Sequence, residues 1–289
     1  MRYVQLRAFH NVAIHGGFSR AAEALFLTQP AISDQIRKLE EQYDVLLFNR
    51  HKKQVTITAQ GAKLLEITNR LFENERQALE LLSETQSLSS GVLRISADSA
   101  HHVNPVLGRF RALYPGIKVS MRSANTEGVI DALYAYEADI GVMGEVPQNA
   151  DINVEILGTS QIVAFAAVGF ETGGREKLSF ADLADFPLVF RERGSKTRQK
   201  LQEAAGEAGV NLAPVIEAEG REAVREIVAS GAGIGFVSEA EYGHDDRFRL
   251  IRLDGPPVTM DEALICLRER SRGKLVSAFM ALATQEKTP

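Results

Sequence analysis

The sequence predicts an α/β protein with three parts: an N-terminal helix-turn-helix module, one long helix, and a larger body of alternating strands and helices. Three observations carry this. Residues 18–42, FSRAAEALFLTQPAISDQIRKLEEQ, hold two runs of helical period separated by a break at Phe26-Leu27. Residues 64–82 keep apolar positions in two adjoining helical rows, giving a stripe too wide for a small head module to cover. From Val92 onward, short β-branched runs alternate with helical runs, the pattern of a parallel sheet with crossover helices.

Val4, Leu6, Phe9, Val12 and Ala13 recur at helical spacing and predict a first helix, ended by Gly16-Gly17. Ser19 is the expected N-cap of the second helix, whose apolar face is Ala21, Ala22 and Leu25. Thr28 is the expected cap of the third, and Pro30 fits its first turn, where the N–H groups have no intrahelical acceptor. In that helix Ile32, Ile36 and Leu39 fall on one buried stripe, while Gln29, Ser33, Asp34, Arg37 and Lys38 lie opposite. Short polar and basic groups on one helix face suit base edges and phosphates of a major groove. An ordinary helical hairpin with a solvated face has the same spacing, but residues 46–57 argue against it. Leu46-Leu47-Phe48 closes a small core, Asn49-Arg50-His51-Lys52-Lys53 forms a basic loop, and Val55-Thr56-Ile57 alternates like a strand. Together these describe a winged helix-turn-helix.

The segment FSRAAEALFLTQPAISDQIRKLEEQYDVLLFNR, followed by VTITAQGAKLL, resembles the DNA-binding region of LysR-type transcriptional regulators, without a gap from about residue 6 to residue 65. Within it Ser33-Asp34-Gln35-Ile36-Arg37-Lys38-Leu39 is similar to members associated with 2-aminoethylphosphonate catabolism, although many relatives carry a basic residue where this chain has Asp34. The resemblance implies double-stranded operator DNA as a partner. Gln29 and Ser33 are expected at bases, Arg37, Lys38, Arg50, Lys52 and Lys53 at phosphates, with Ser19, Thr28 and Pro30 completing the DNA-facing set.

Thr58 is expected to cap the long helix. Its apolar rows contain Leu64, Ile67, Leu71, Ala78 and Leu82, then Leu65, Phe72 and Leu79. A coiled-coil-like pairing of two copies would bury them, with Leu64, Ile67, Leu71, Phe72, Ala78, Leu79 and Leu82 at the seam. Packing against the chain's own body is the other reading of that stripe. The resemblance implies the former, as a homodimer or homotetramer, and admits RNA polymerase as a further partner. Ser83 to Ser90, SETQSLSS, reads as a polar hinge.

In the body, strands are expected at 92–96, 117–121, 139–143, 161–168, 188–190, 215–216, 233–237, 249–253 and 262–267. Helices are expected at 105–113, 128–136, 180–184, 196–208, 221–229 and 274–283. Two α/β lobes of similar size suggest a cleft between them. The resemblance adds that this region is a two-lobed, periplasmic-binding-protein-like effector domain whose chain crosses between lobes twice, near 157–161 and near 242–261. The expected domains are 1–58 for the winged head, 59–90 for the linker helix and hinge, and 91–289 for effector binding. Within the last, lobe I is 91–160 and 262–289, and lobe II is 161–261.

The segment Phe190-Arg-Glu-Arg-Gly-Ser-Lys-Thr-Arg198 follows a strand and opens a helix. Free backbone N–H groups, the Ser195 and Thr197 hydroxyls, and Arg191 and Arg198 form an expected anion cradle, with Arg193 placed in solvent. A capped helix start with exposed charges is the plainer reading of the same residues. In the resembling family a similar R-E-x-G-S-x-T-R segment lines the effector cleft. The first-lobe counterparts are Ser99, His101, Asn125 and Thr126, at the carboxyl ends of strands, where open α/β sheets bind ligands.

Charge and composition bound the function. The chain has 289 residues with 33 Lys or Arg and 38 Asp or Glu, a net charge of −5. Up to Lys63 there are nine basic and five acidic residues, which leaves 24 and 33 for the remainder. A head of +4 on a body of −9 suits one module that contacts DNA and one that avoids it. The single cysteine, Cys266, lies in an apolar run and reads as a buried strand thiol. MRYVQLRAFH has no signal-peptide pattern, and no apolar run nears the ~20 residues that span a bilayer, so a cytoplasmic protein without a membrane partner is expected. No catalytic motif and no cofactor motif is present. Gly231-Ala-Gly-Ile-Gly-Phe precedes a strand instead of linking strand to helix, and His101-His102 has no further metal ligand at defined spacing. The expected function is sequence-specific transcriptional regulation under a small, anionic effector, without enzymatic activity. The effector would act by population shift, closing the cleft and changing dimer packing and DNA bend. The alternative is a cytoplasmic small-anion-binding protein or α/β enzyme with a helical N-terminal appendage. Lack of a signal peptide and of a catalytic set speaks against it.

Overall fold

The computed structural model describes residues 1–51, 54–82 and 90–285, with only the backbone at 50, 51, 54, 80, 81 and 285. The polar stretch 83–89 lies outside the described residues. The chain divides into two compact units, Met1–Thr85 and Gln86–Pro289.

In the first unit α1 (Tyr3–His15), α2 (Phe18–Leu25) and α3 (Gln29–Tyr43) pack around Phe9, Val12, Ala21, Ile32, Ile36 and Leu39, the apolar stripes that helical spacing places inward. Gly16 takes a left-handed φ of 64° and donates its N–H to the Val12 carbonyl, ending α1. Val4, by contrast, is exposed. The α2 N-cap is Gly17, not Ser19, which sits inside the first turn because α2 begins two residues earlier than that cap would set, at buried Phe18. Thr28 does occupy the α3 N-cap, but its hydroxyl makes no cap bond. The basic loop expected after Phe48 is in part a strand: β1 (Phe48–His51) pairs antiparallel with β2 (Gln54–Ile57). Leu47 and Phe48 are buried whereas Leu46 is exposed, because Glu40 receives the Leu47 and Phe48 amides at 2.8 and 3.3 Å and fixes the chain one residue later.

The long helix α4 (Ala59–Leu82) has 24 residues. The Thr58 hydroxyl accepts from the Gly61 amide at 3.0 Å and caps it. Gly61 is required: a Cβ there would lie 2.3 Å from the Leu47 carbonyl oxygen.

The second unit opens with β3 (Gly91–Ala97), α5 (Asn104–Leu113), β4 (Ile117–Ser123), α6 (Thr126–Tyr134) and β5 (Ile140–Met143). β3 pairs in parallel with both β4 and β5, as the alternating pattern requires. Then comes β6 (Ile152–Ala167), 16 residues long, of which the sequence shows only the second half clearly. The first half carries Asn153, Glu155, Gly158 and Ser160 and is only partly buried, so it lacks an apolar signature.

The rest of the chain runs β7 (Lys177–Leu178), α7 (Phe180–Leu183), β8 (Val189–Arg191), α8 (Lys196–Glu207), β9 (Ile216–Ala218), α9 (Arg221–Ala229), β10 (Gly235–Ser238), α10 (Glu239–Tyr242), β11 (Phe248–Leu253), β12 (Thr259–Leu267) and α11 (Lys274–Gln285). The main sheet has eight strands in the order β4-β3-β5-β12-β6-β11-β7, with β10 also on β6. β6 and β12 pair antiparallel along their length with a bulge at Glu262/Ala263, so both crossings run through this ribbon. One lobe packs α5 and α11 on β3, with Phe110 and Phe279 rings 5.2 Å apart, and α6 on the opposite face. In the other, Ile162 and Ala164 of β6 face one core and Val163 and Phe165 the other, the period of two that strand geometry imposes.

Candidate nucleic-acid interface and effector cleft

On the head, Thr28, Gln29, Pro30, Arg37 and Lys38 are exposed, Ser33 is half-buried, and Ser19 is exposed on α2. Arg37 and Lys38 do not stand free. Asp34 pairs with Arg37 at 2.8 Å and with Lys38 at 2.6 Å, and Glu41 pairs with Arg37 at 3.0 Å. The Lys38 and Arg37 bonds hold the Asp34 carboxyl below its usual range. Exposed pairs of this kind are weak, so a phosphate can compete for either cation. The Arg50 side chain, Lys52 and Lys53 lie outside the described residues.

The expected seam of α4 splits in two. Ile67, Leu71, Ala78, Leu79 and Leu82 are exposed on the helix surface. Leu64 instead packs on the head core, and Phe72 stacks between Tyr3 and His10 at 5.8 and 4.6 Å. These two are corrected from seam to intramolecular packing, because α1 covers that side of the helix. His10 donates to the Thr68 hydroxyl at 3.2 Å, and burial pushes its pKa down to about 4.

In the second unit the ends of β3, β5 and β8 and the start of α8 meet between the lobes. Asp98, directly after β3, accepts from the Gly144 amide at 2.9 Å and the Thr126 hydroxyl at 3.4 Å. Ser99 is buried; its hydroxyl accepts from the His101 amide at 3.3 Å and bonds Glu241. His101 is exposed, and its neighbour His102 takes the inner position, held by Glu241 at 2.6 Å on Nε2 and by Glu262 on Nδ1. Both ring nitrogens donate, so the ring is an imidazolium. Burial pushes its pKa down, but the bonds to Glu241 and Glu262 outweigh this and raise it to about 9. Arg221, at the start of α9, binds the other Glu241 oxygen at 2.8 Å, and Ser238 donates to Glu262 at 3.0 Å. Nothing in the spacing of His102, Arg221, Glu241 and Glu262 revealed this set. The signal present was His102 itself, five residues past the end of β3.

The segment after β8 is organised differently from expectation. Arg191 is buried and forms a two-pronged pair with Glu192 at 2.8 and 2.6 Å. Arg198 donates to the Arg191 carbonyl at 2.9 Å and to Glu217 at 2.6 Å, with its guanidinium over Phe190. Neither guanidinium is open for a ligand, since neighbouring carboxylates already neutralise both. Arg193 is exposed, as expected. Ser195 is the α8 N-cap yet makes no cap bond, and at 4% exposure its hydroxyl has no hydrogen-bond partner among the described residues. Thr197 is buried and donates to the Met260 sulfur at 3.4 Å. Lys196, which the expected set omitted, pairs with Glu145 of the first lobe at 2.7 Å. Asn125 caps α6 through the Gly128 amide and donates from Nδ2 to the Arg193 carbonyl at 3.3 Å. Gly194 makes that approach, with a left-handed φ of 85° and a Cβ position 2.8 Å from Asn125. A small cavity of about 10 Å³, room for about one water, adjoins Arg191, Thr197 and Arg221.

Comparison with known proteins gives the family. Residues 3–62 match the bacterial regulatory helix-turn-helix protein, lysR family, and residues 86–288 match the LysR substrate binding domain. The RuBisCO operon transcriptional regulator of Allochromatium vinosum is 33% identical over 288 residues, covering 98% of this chain and 95% of that protein. The HTH-type transcriptional activator CmpR of Synechocystis sp. is 30% identical over 236 residues, 81% of this chain and 78% of that one. In fold, a full-length OxyR variant from Pseudomonas aeruginosa superposes with a TM-score of 0.80 at 20% identity, covering 98% of this chain and 94% of that one. CbnR, a LysR family transcriptional regulator, does so at 0.70 and 19%, over the full length of both. With a winged head, an exposed apolar helix face and a two-lobed unit that family profiles match from end to end, this chain belongs to the LysR family of DNA-binding transcriptional regulators with small-molecule effector domains.

Proposed function

We propose that residues 1–58 read a double-stranded operator, that the α4 face within 59–90 pairs two copies, and that 91–289 senses a small effector whose anionic group sits at the start of α8. The homodimer, or a homotetramer built from it, acts in the cytoplasm, and RNA polymerase is its downstream partner. Among the described residues no helix is long and apolar enough to cross a membrane.

The observation that carries the effector reading is the uncapped start of α8. Ser195 is buried as a residue, its hydroxyl makes no hydrogen bond among the described residues, and the first-turn amides have no intrahelical acceptor. Gln29 and Ser33 read bases, while Arg37 and Lys38 exchange Asp34 and Glu41 for phosphates. The target is a separate matter. The 33–39 segment points to the branch associated with 2-aminoethylphosphonate catabolism, whereas two relatives, covering 98% and 81% of this chain, are named RuBisCO operon regulators. Selection of bound genomic fragments identifies the operator. Calorimetric titration of small phosphonates, phosphate esters and carboxylates against wild type and Ser195→Ala tests the cradle. Equal affinity of both proteins for every binding anion sinks it.

A further inference from the structure

Three non-glycine residues among those described take a left-handed backbone: Phe26, Asp44 and Tyr136, at φ 55°, 50° and 59°. A bulky side chain is out of place there, because its Cβ crowds the backbone, and the conformation persists only where something else holds it. A short Asp tolerates it. Tyr136 is half-buried, with the Arg270 guanidinium over its ring at 5.6 Å. Phe26 has no such support. It is 95% exposed, and among the described residues its ring has no aromatic or cationic partner. The cap itself does not need the ring. Backbone bonds close the turn, from the Phe26 amide to the Glu23 carbonyl at 3.2 Å and from the Leu27 amide to the Ala22 carbonyl at 2.9 Å, and glycine would make both without strain.

The position of the ring gives it a use. Phe26 comes two residues before the α3 N-cap, Thr28, and three before Gln29. From Phe26 to Ala31 every residue is exposed, with apolar Phe26, Leu27, Pro30 and Ala31 around polar Thr28 and Gln29. A helix-turn-helix docks the first residues of its second helix on base edges, so the turn before them is carried to the mouth of the major groove. Three residues reach at most about 11 Å, or about three base pairs along the duplex. A phenyl ring offers no donor or charge to a phosphate or to a polar base edge. The apolar group that the major groove presents is the C5 methyl of thymine.

We propose that Phe26 reads thymine: its ring packs on the methyl of a thymine within about three base pairs of the pair contacted by Gln29, and burial of ring and methyl sets an A·T preference there. This rests on the reading of the α3 start as the end that enters the groove; Gln29 only fixes where the thymine is sought.

The test uses the full-length protein and the operator recovered by selection of bound genomic fragments. Each thymine is replaced in turn by deoxyuridine, which keeps the pairing and removes only the methyl. Dissociation constants are measured for wild type, Phe26→Gly and Gln29→Ala. In wild type one substitution, within about three base pairs of the position whose preference Gln29→Ala relaxes, should weaken binding about fourfold, the worth of one buried methyl. In Phe26→Gly the same substitution should cost nothing, with operator affinity already lowered by at least that factor and affinity for random DNA unchanged. Phe26→Gly should unfold at no lower temperature than wild type, because glycine accepts a φ of 55°. The proposal is overturned if no deoxyuridine substitution loses its effect in Phe26→Gly, or if Phe26→Gly keeps full operator affinity. It is also overturned if Phe26→Gly weakens operator and random DNA alike, which would place the ring on the sugar-phosphate backbone. A much lower melting temperature in Phe26→Gly sinks it too, since the ring would then be holding the head together. If Gln29→Ala weakens both DNAs equally while a methyl effect still depends on Phe26, base reading by Gln29 fails and the thymine contact stands.

Discussion

Replacing His102 by Gln removes an imidazolium that two buried carboxylates share. The raised pKa gives one estimate of the effect. A rise from 6.5 to about 9 is worth ~3 kcal/mol at 1.36 kcal/mol per pH unit, and partial solvation trims it to about 2 kcal/mol. Bond removal gives the other. Glu241 keeps Arg221 and Ser99, but Glu262 is left with the Ser238 hydroxyl among the described residues, and a buried charge deprived of its partner costs about 3–5 kcal/mol. The expected loss is therefore about 2–4 kcal/mol, or roughly 5–10 °C in Tm for a unit of this size. The pH dependence has a definite sign. The folded-state pKa is raised, so the stabilisation is fully present below pH 6.5 and disappears as pH rises through about 9. Thermal unfolding of both proteins from pH 6 to pH 10 gives the measurement. The gap between them should be widest near pH 6 and close towards pH 10. A gap that is constant across the range would show that His102 is neutral in the folded protein, and the argument from its two carboxylates would fail.

The remaining predictions concern the head and the first lobe. Gln29→Ala or Ser33→Ala should cost about 1–3 kcal/mol on the cognate operator and less on random DNA, and equal losses on both would refute base reading. Asp34→Ala should release Arg37 and Lys38, raising affinity for random DNA and steepening its salt dependence; an unchanged slope would show that neither cation reaches a phosphate. Leu71→Glu should abolish dimers in sedimentation, whereas Phe72→Ala should cost about 1–3 kcal/mol in stability and leave assembly intact, since half-buried Phe72 packs on α1; loss of dimers in Phe72→Ala would return it to the seam. Arg270, fully buried, binds Asp139, and Arg94 pairs with the same carboxylate at 2.9 Å. Burial pushes the Asp139 carboxyl up, but the two arginines hold it below its usual range, so its contribution is present above pH 3.8 and is lost as pH falls lower. Asp139→Asn should flatten that acid limb of unfolding, and an identical limb in both proteins would refute it.

Much of this architecture is local and therefore legible in one sequence. Helical period, the break at Phe26-Leu27, Gly16 and Thr58 act on residues a few positions away, so they set the head and the start of α4 without reference to anything distant. The alternation of apolar runs set the parallel part of the first lobe in the same way. What depends on residues far apart in sequence was decided only by the tertiary structure. The polar half of β6 is a strand because β12, a hundred residues later, supplies its hydrogen bonds. Phe72 and Leu71 are one residue apart on α4, yet α1 covers one and leaves the other bare. Arg191 and Arg198 look like ligand-binding cations in a string of basic residues, but Glu192 and Glu217 occupy them, and pairing by proximity in space has no periodicity to read. The same holds for His102, gathered with Glu241 and Glu262 from 139 and 160 positions away. Spacing carries no record of such pairings, and folding alone determined which charges between the lobes meet.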